Sequence, residues 1–254
     1  MMIDQNGLRS WNLAAALLHL IQGAAVLALA NDFALPITSA FLQMDPGTGR
    51  LAPRLETLAE VRIGPLVAAF LFLSALAHLS VASPAGFRRY AANVERGINP
   101  ARWIEYSVSA SLMIVVIAML VGIYDVASLI LILALNATMI LFGWLMELHN
   151  QTTERTNWTA FWFGSFAGAI PWVAIGLYLF GAGDEGGGPP GFVYAIFASI
   201  FVFFNVFALN MVLQYRKVGP WRDYAFGELA YIVLSLVAKS LLAWQVFAGT
   251  LRPA

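Results

Sequence analysis

The chain has 254 residues, of which 60% are hydrophobic and 11% charged, with a mean hydropathy of +0.76 and a formal net charge of zero. This composition excludes a soluble domain of that length and implies a polytopic membrane protein. Balanced charge gives no reason to propose a nucleic-acid partner, and the absence of cysteine excludes disulfides and thiolate metal sites.

Seven apolar segments follow one another, each near the ~20 residues that a spanning helix needs. They cover residues 11–30, 62–81, 101–122, 126–148, 159–180, 192–214 and 224–247. Only Arg9 flanks the first, which reads as a retained helix rather than a cleaved signal. The expected fold is an all-α seven-transmembrane bundle forming one domain over 1–254, without a hydrophilic tail for an effector module. The longest loop, 31–61, contains Pro, Gly and alternating apolar residues, which suit either a two-stranded ribbon or an irregular lid. Asn99-Pro100 reads as an N-cap and first helical residue for the third span. A short turn at Asp125 makes spans three and four a tight hairpin, and GAGDEGGGPPG between spans five and six reads as a flexible, exposed loop.

Loop charges predict the orientation. Arg9, Arg88, Arg89, Arg96, Arg102, Arg155, Arg216, Lys217 and Arg222 lie on the N-terminal side, against Arg50, Arg54, Arg62 and Arg252 on the other. The positive-inside rule then places the N-terminus in the cytoplasm and the C-terminus, with the 31–61 loop, outside.

Ionisable groups inside the spans are costly and therefore candidates for function. Lys239 sits deep in the seventh span, YAFGELAYIVLSLVAKSLLAWQVF. A buried lysine has an adaptable charge and suits a Schiff base, although it also suits a structural ion pair. Glu105 lies about 9 Å into the third span, at ~1.5 Å per residue. His19 and His78 fall in the same cytoplasmic half, which suggests a shared hydrated pocket that Gln22, Ser74 and Asn136 would extend. A lone histidine there would more simply bridge two helices. A His/His/Glu metal site lacks any ligand spacing, so no metal is expected. Arg102, three residues before Glu105, shares its helical face and would hold that carboxylate ionised. Depth is the difficulty, because Lys239 lies about 24 Å of helix beyond Asp223, deeper than Glu105. The two meet only if the seventh helix starts above the bilayer or the lysine points back.

Aromatic residues crowd spans five to seven, among them Trp172, Phe201, Phe204 and Phe207, and would suit either packing or a long flat apolar ligand. Gly143, Gly164 and Gly168 remove bulk where a ligand or helix approaches, and Gly164 and Gly168 form a GxxxG spacing compatible with helix packing or dimerisation.

Seven spans, a lysine in the last and a carboxylate in the third resemble a microbial-type retinal protein. Within that superfamily, RWIEYSVSAS around Glu105, FVFFNVFALNMVLQY in span six and SLVAKSLLAWQVFAG around Lys239 resemble the heliorhodopsins. The cytoplasmic N-terminus and the long first loop agree with that family. The resemblance implies all-trans retinal on Lys239 as a protonated Schiff base, with Glu105 as counterion and Ser235 hydrogen-bonding nearby. It implies Phe204 against the polyene, with Met113 and Gly143 in the same site, and His19, His78, Arg102 and Asn136 in a cytoplasmic polar cavity that takes part in proton movement. It also implies a homodimer to which the first extracellular loop contributes.

Three functions compete. A light sensor would pass a conformational signal to a cytoplasmic partner, whose identity the sequence does not give. A light-driven ion pump or channel would need a second proton carrier. Beyond Glu105 the third span reads Leu112, Met113, Val115 and Val116, and no carboxylate follows Lys239, which disfavours the pump. A transporter using Lys239 and Glu105 as an ion pair ranks third, since no internal repeat is evident. None of these is an enzyme.

Overall fold

A computed structural model describes residues 5–181 and 187–253. The order is α1 (Gln5–Leu29), β1 (Ala34–Met44), β2 (Leu51–Arg62), α2 (Ile63–Ala82), α3 (Pro84–Glu95), α4 (Pro100–Leu120), α5 (Val126–His149), α6 (Thr159–Gly181), α7 (Gly191–Tyr215) and α8 (Tyr224–Val246). A π-helical turn at Phe247–Leu251 extends α8. Among the described residues, seven helices, all except α3, are long and apolar enough to cross a membrane. Of the expected exposed loop GAGDEGGGPPG, residues 182–186 lie outside the described residues.

Burial is inverted relative to a soluble bundle. Leu17, Ile21, Leu131, Phe166 and Leu177 point outward, whereas His19, Ser74, His78, Glu147, Glu228 and Lys239 point inward. Hydrocarbon accepts the first set at no cost, and only the interior offers the second set partners. α1 packs on α2, α2 on α4, α4 on α5 and α5 on α6, while α7 packs on α8 and α8 returns to α1. α6 and α7 meet through aromatic side chains, with the Trp172 ring edge-on to Phe197, Phe201 and Phe204 at 5.3–5.5 Å.

Local signals set the helix ends. Asn99 caps α4 by accepting from the Arg102 amide at 3.2 Å, with Pro100 in the first turn. Asp125 caps α5 and Asp223 caps α8. The Ser83-Pro84 pair starts α3 in the same way, with the Ser83 hydroxyl accepting from Gly86 N at 3.0 Å. α3 is an addition to the seven spans expected from hydropathy. It is short and amphipathic, burying Tyr90, Ala91 and Val94 while exposing Arg88 and Arg89.

Of the two readings of the first loop, the structure has the ribbon. β1 and β2 pair antiparallel from Ala34↔Arg62 to Met44↔Leu51, with a bulge between Ile37 and Thr38. Asp45 closes the turn by accepting from Gly47 N at 2.7 Å, and the amide of Thr38 ties the ribbon to the Tyr124 carbonyl at 2.9 Å. The GxxxG glycines serve packing within the chain. A Cβ on Gly164 would lie 3.0 Å from Phe142 Cβ, and one on Gly168 would lie 2.1 Å from Met139 Sδ, so both let α6 approach α5.

Candidate functional site

Lys239 and Glu105 meet. The Lys239 Nζ donates to Glu105 Oε1 at 2.8 Å and to Ser235 Oγ at 2.9 Å, and lies 4.9 Å from the Tyr106 ring centroid. Ser74 Oγ donates to the same carboxylate oxygen at 2.6 Å. The depth mismatch disappears because the lysine folds back. Tyr106 Oη donates to the Tyr231 carbonyl at 2.9 Å, which sets α4 against α8 at that level. The Lys239 backbone lies about 12 Å further along α8, and its side chain, angled towards the helix N-terminus as side chains on helices are, returns one turn to Ser235. Both partners are buried, with side-chain exposures of 3% for Lys239 and 7% for Glu105.

The same ammonium stands at the wall of an apolar cavity of about 300 Å³ among α4, α5, α6, α7 and α8. Met113, Gly143, Gly168, Trp172, Phe204 and Phe207 line it. Gly143 acts partly through a neighbour: a Cβ there would sit 2.5 Å from the Trp103 ring, so the glycine admits the indole that forms part of the cavity wall.

On the other side of the ion pair are the histidines. Ser74 and His78 are four residues apart and share a face of α2. His78 and His19 stack with centroids 5.8 Å apart and planes 11° from parallel. His78 Nδ1 lies 2.7 Å from Asn12 Oδ1, and His19 is fully buried with neither ring nitrogen bonded to a described residue. His19 and His78 thus stack on each other, and Ser74, one turn from His78 on α2, bonds Glu105. Asn136 and Gln22 lie elsewhere. The Asn136 amide donates to Ser111 Oγ at 3.1 Å, between α5 and α4. Gln22 accepts from the Trp244 indole at 2.9 Å on the exposed side of the bundle.

Arg102 requires a correction. It does not pair with Glu105; its guanidinium binds Glu147 on α5 and Glu228 on α8, and it lies 4.0 Å from the Tyr231 ring centroid and 4.6 Å from that of Trp103. The one-turn spacing on α4 loses because two carboxylates from other helices need the forked donor, and an unpaired buried carboxylate costs more than a surface-type i,i+3 contact returns. Glu147 also accepts from Asn99 N at 2.9 Å, Trp103 Nε1 at 2.6 Å and Tyr224 Oη at 2.8 Å. Glu228 accepts from Asn99 Nδ2 at 2.5 Å and Tyr90 Oη at 3.4 Å. Glu147, Glu228, Tyr90 and Asn12 escape the sequence pattern. Each glutamate lies near a span end, where a carboxylate ordinarily reaches water, although MELH and FGEL within apolar runs carry the signal. Burial, then the Glu228 charge, push the Tyr90 phenol well above its ordinary range, so it remains an O–H donor.

A comparison with curated proteins gives no match. The family model described as Heliorhodopsin matches residues 8–251, nearly the whole chain. With its seven membrane-length apolar helices the protein is a multi-pass integral membrane protein, and it belongs to the heliorhodopsin family of retinal-binding rhodopsins.

Proposed function

We propose that the protein is a light sensor in which all-trans retinal is held on Lys239 as a protonated Schiff base, with Glu105 as counterion, and that it signals without net ion pumping. The observation that carries this reading is the position of the Lys239 Nζ, between the apolar cavity and the Glu105 carboxylate. The residues fit the group. The cavity volume is at the lower end of small-molecule sites, ~300–1,000 Å³, its walls are mainly aromatic and apolar, and Gly143, Gly164 and Gly168 are among the residues that line it. When bound, retinal supplies visible absorption and a light-driven change of shape.

The side chains do the remaining work. Glu105 holds a positive charge at the Lys239 nitrogen, and Ser235 and Ser74 fix the geometry of the pair. Phe204 and Trp172, edge to face at 5.4 Å, shape the apolar wall. His19 and His78 form the group that takes up a proton when the pair separates. Neutralising the pair changes the charge pattern on that side of the bundle and biases its helices between two arrangements.

A sensor is favoured over a pump by the asymmetry of the interior. The half of the bundle beyond Lys239 packs Phe70, Ile114, Ile117, Ile175, Leu242 and Val246 into a continuous apolar core. No acidic residue of α4 follows Glu105 and none of α8 follows Lys239, so a polar path across the membrane would have to open through that core. The N-terminus is assigned to the cytoplasm. With Arg102 removed from the loop charges because it is buried and paired, eight basic residues remain on its side against four. A homodimer using the exposed Phe41, Leu42, Met44 and Leu55 of the hairpin, and a cytoplasmic signalling partner, complete the proposal.

The test is a visible absorption spectrum of membranes supplied with all-trans retinal. A retinal-dependent band that vanishes in Lys239→Ala is expected, and its absence from folded parent protein would sink the reading. Light-induced pH changes of the cell suspension should be absent; an uncoupler-sensitive change would favour the alternative, a light-driven proton transporter.

A further inference from the structure

α3 lies on one end of the bundle and does not span it. Its apolar face packs Tyr90 and Val94 with Leu8, Ala15 and Ile232. This patch is enough to dock a 12-residue amphipathic helix, yet the Tyr90 hydroxyl reaches past it into the polar interior. It lies 3.4 Å from Asn12 Nδ2 and 3.4 Å from Glu228 Oε1.

Donor bookkeeping gives this contact a direction. An ionised carboxylate only accepts, so Tyr90 donates to Glu228, and its oxygen accepts from Asn12. The Asn12 amide is oriented by a second bond, from Nδ2 to the Leu8 carbonyl at 2.8 Å, which leaves Oδ1 towards His78 Nδ1 at 2.7 Å. His78 therefore carries its hydrogen on Nδ1. From His78 through Asn12 and Tyr90 to Glu228, every group donates the same way. A side-chain amide does not readily hand on a proton, so the chain conveys polarisation rather than a proton.

We propose that Asn12 and Tyr90 form a strut joining His78 to Glu228, through which the charge state of the histidine pair moves α3. The proposal rests on the reading above that the pair gains a proton after illumination. The groups facing His78 are His19, Glu105 and Lys239, and those facing Tyr90 are Glu228 and Arg102. A second proton on His78 turns a neutral donor into a cationic one, which shortens and strengthens its bond to Asn12. The two 3.4 Å links are at the long limit of a hydrogen bond and have room to tighten. Tightening draws Tyr90 inward, and α3 with it, since Tyr90 is the most deeply buried residue of that helix. Tyr90 is thus a positioning residue and takes no part in holding the chromophore.

The chain has no cysteine, so Arg89→Cys on the exposed face of α3 provides a unique attachment point for a nitroxide label. In the retinal-loaded protein, illumination should change the label's mobility, and the change should decay with the photocycle. Tyr90→Phe keeps the ring but removes the bond; it should keep the visible band and reduce the mobility change several-fold, as should Asn12→Leu. An undiminished change in Tyr90→Phe, or no change in a parent whose visible band cycles normally, overturns the strut. A second readout needs no retinal. The losses of thermal stability in His78→Phe and Glu228→Gln should be non-additive in the parent and additive in the Tyr90→Phe background, and additivity in both overturns the proposal. Failure of the visible band would instead strike the photoreceptor reading, and the stability cycle would still decide the strut.

Discussion

Two buried ion clusters lie in one bundle and are built on opposite principles. At Lys239 one ammonium meets one carboxylate, assisted by two serine hydroxyls, beside an apolar cavity. At Arg102 one guanidinium meets two carboxylates, which also receive bonds from Asn99, Trp103, Tyr90 and Tyr224. The first cluster is balanced in charge and uses a cation that can lose its proton. The second uses a cation that stays charged, and saturates its anions, one on α5 and one on α8, with donors from α3, α4 and α8. On the proposed function, the cluster that changes state is the small, titratable one, whereas the one that holds helix ends together is cross-linked.

The strongest test of this contrast is to remove each cation. Arg102→Ala leaves two buried carboxylates without a counter-charge and is expected to cost about 3–5 kcal/mol, a large share of a typical stability of ~5–15 kcal/mol. Thermal unfolding in detergent would show it as a large drop in Tm or a failure to accumulate. Lys239→Ala should cost clearly less, because a single carboxylate beside Ser74 can accept a proton in place of the ammonium. Equal losses in Tm would break the comparison.

A finer test separates the two glutamates. Glu147 accepts from four donors on Arg102, Asn99, Trp103 and Tyr224. Glu147→Gln places an NH₂ against groups that already donate, and should cost about 1.5–3 kcal/mol, in the range of bonds to charged groups. Glu228→Gln removes one of two negative charges that share a single guanidinium, and its effect on Tm should be the smaller. A reversed order would mean that charge balance, rather than donor saturation, governs the cluster.

The smallest effect belongs to an exposed carboxylate held by local bonds alone. Backbone bonds from Gly47 and then Thr48 hold Asp45 below its ordinary value. The folded value is the lower one, so the contribution to the hairpin turn is fully present above the unfolded value of 3.8 and is lost as pH falls through the folded value. The Gly47 amide resonance in a labelled sample should move across that acidic window, with no change in Tm between neutral pH and 5. A Tm that tracked this titration would show that an exposed turn matters as much as the buried pairs.

Much was legible from one-dimensional signals. The spans follow from runs of apolar residues, and the start of α4 from Asn99-Pro100, because hydrocarbon solvation and capping are local effects. α3 was hidden because its pattern is mixed and it does not span, although Ser83-Pro84 marks its start. The hairpin stayed ambiguous because β2 is exposed along most of its length and the first half of β1 is half-buried on both faces, so neither shows clear alternation.

Sequence by itself determined that Lys239, Glu105, His19 and His78 lie inside a membrane bundle, since ionisable groups embedded in apolar spans must face its interior. Only the tertiary structure decided who pairs with whom. Lys239 reaches Glu105 because its side chain folds back a turn to Ser235, and Arg102 abandons its neighbour three residues away for Glu147 and Glu228. Spacing along one helix fixes a face to within a turn, but the partner of a buried charge is set by which other helices bring an opposite charge to that depth, and that is a property of the packed bundle.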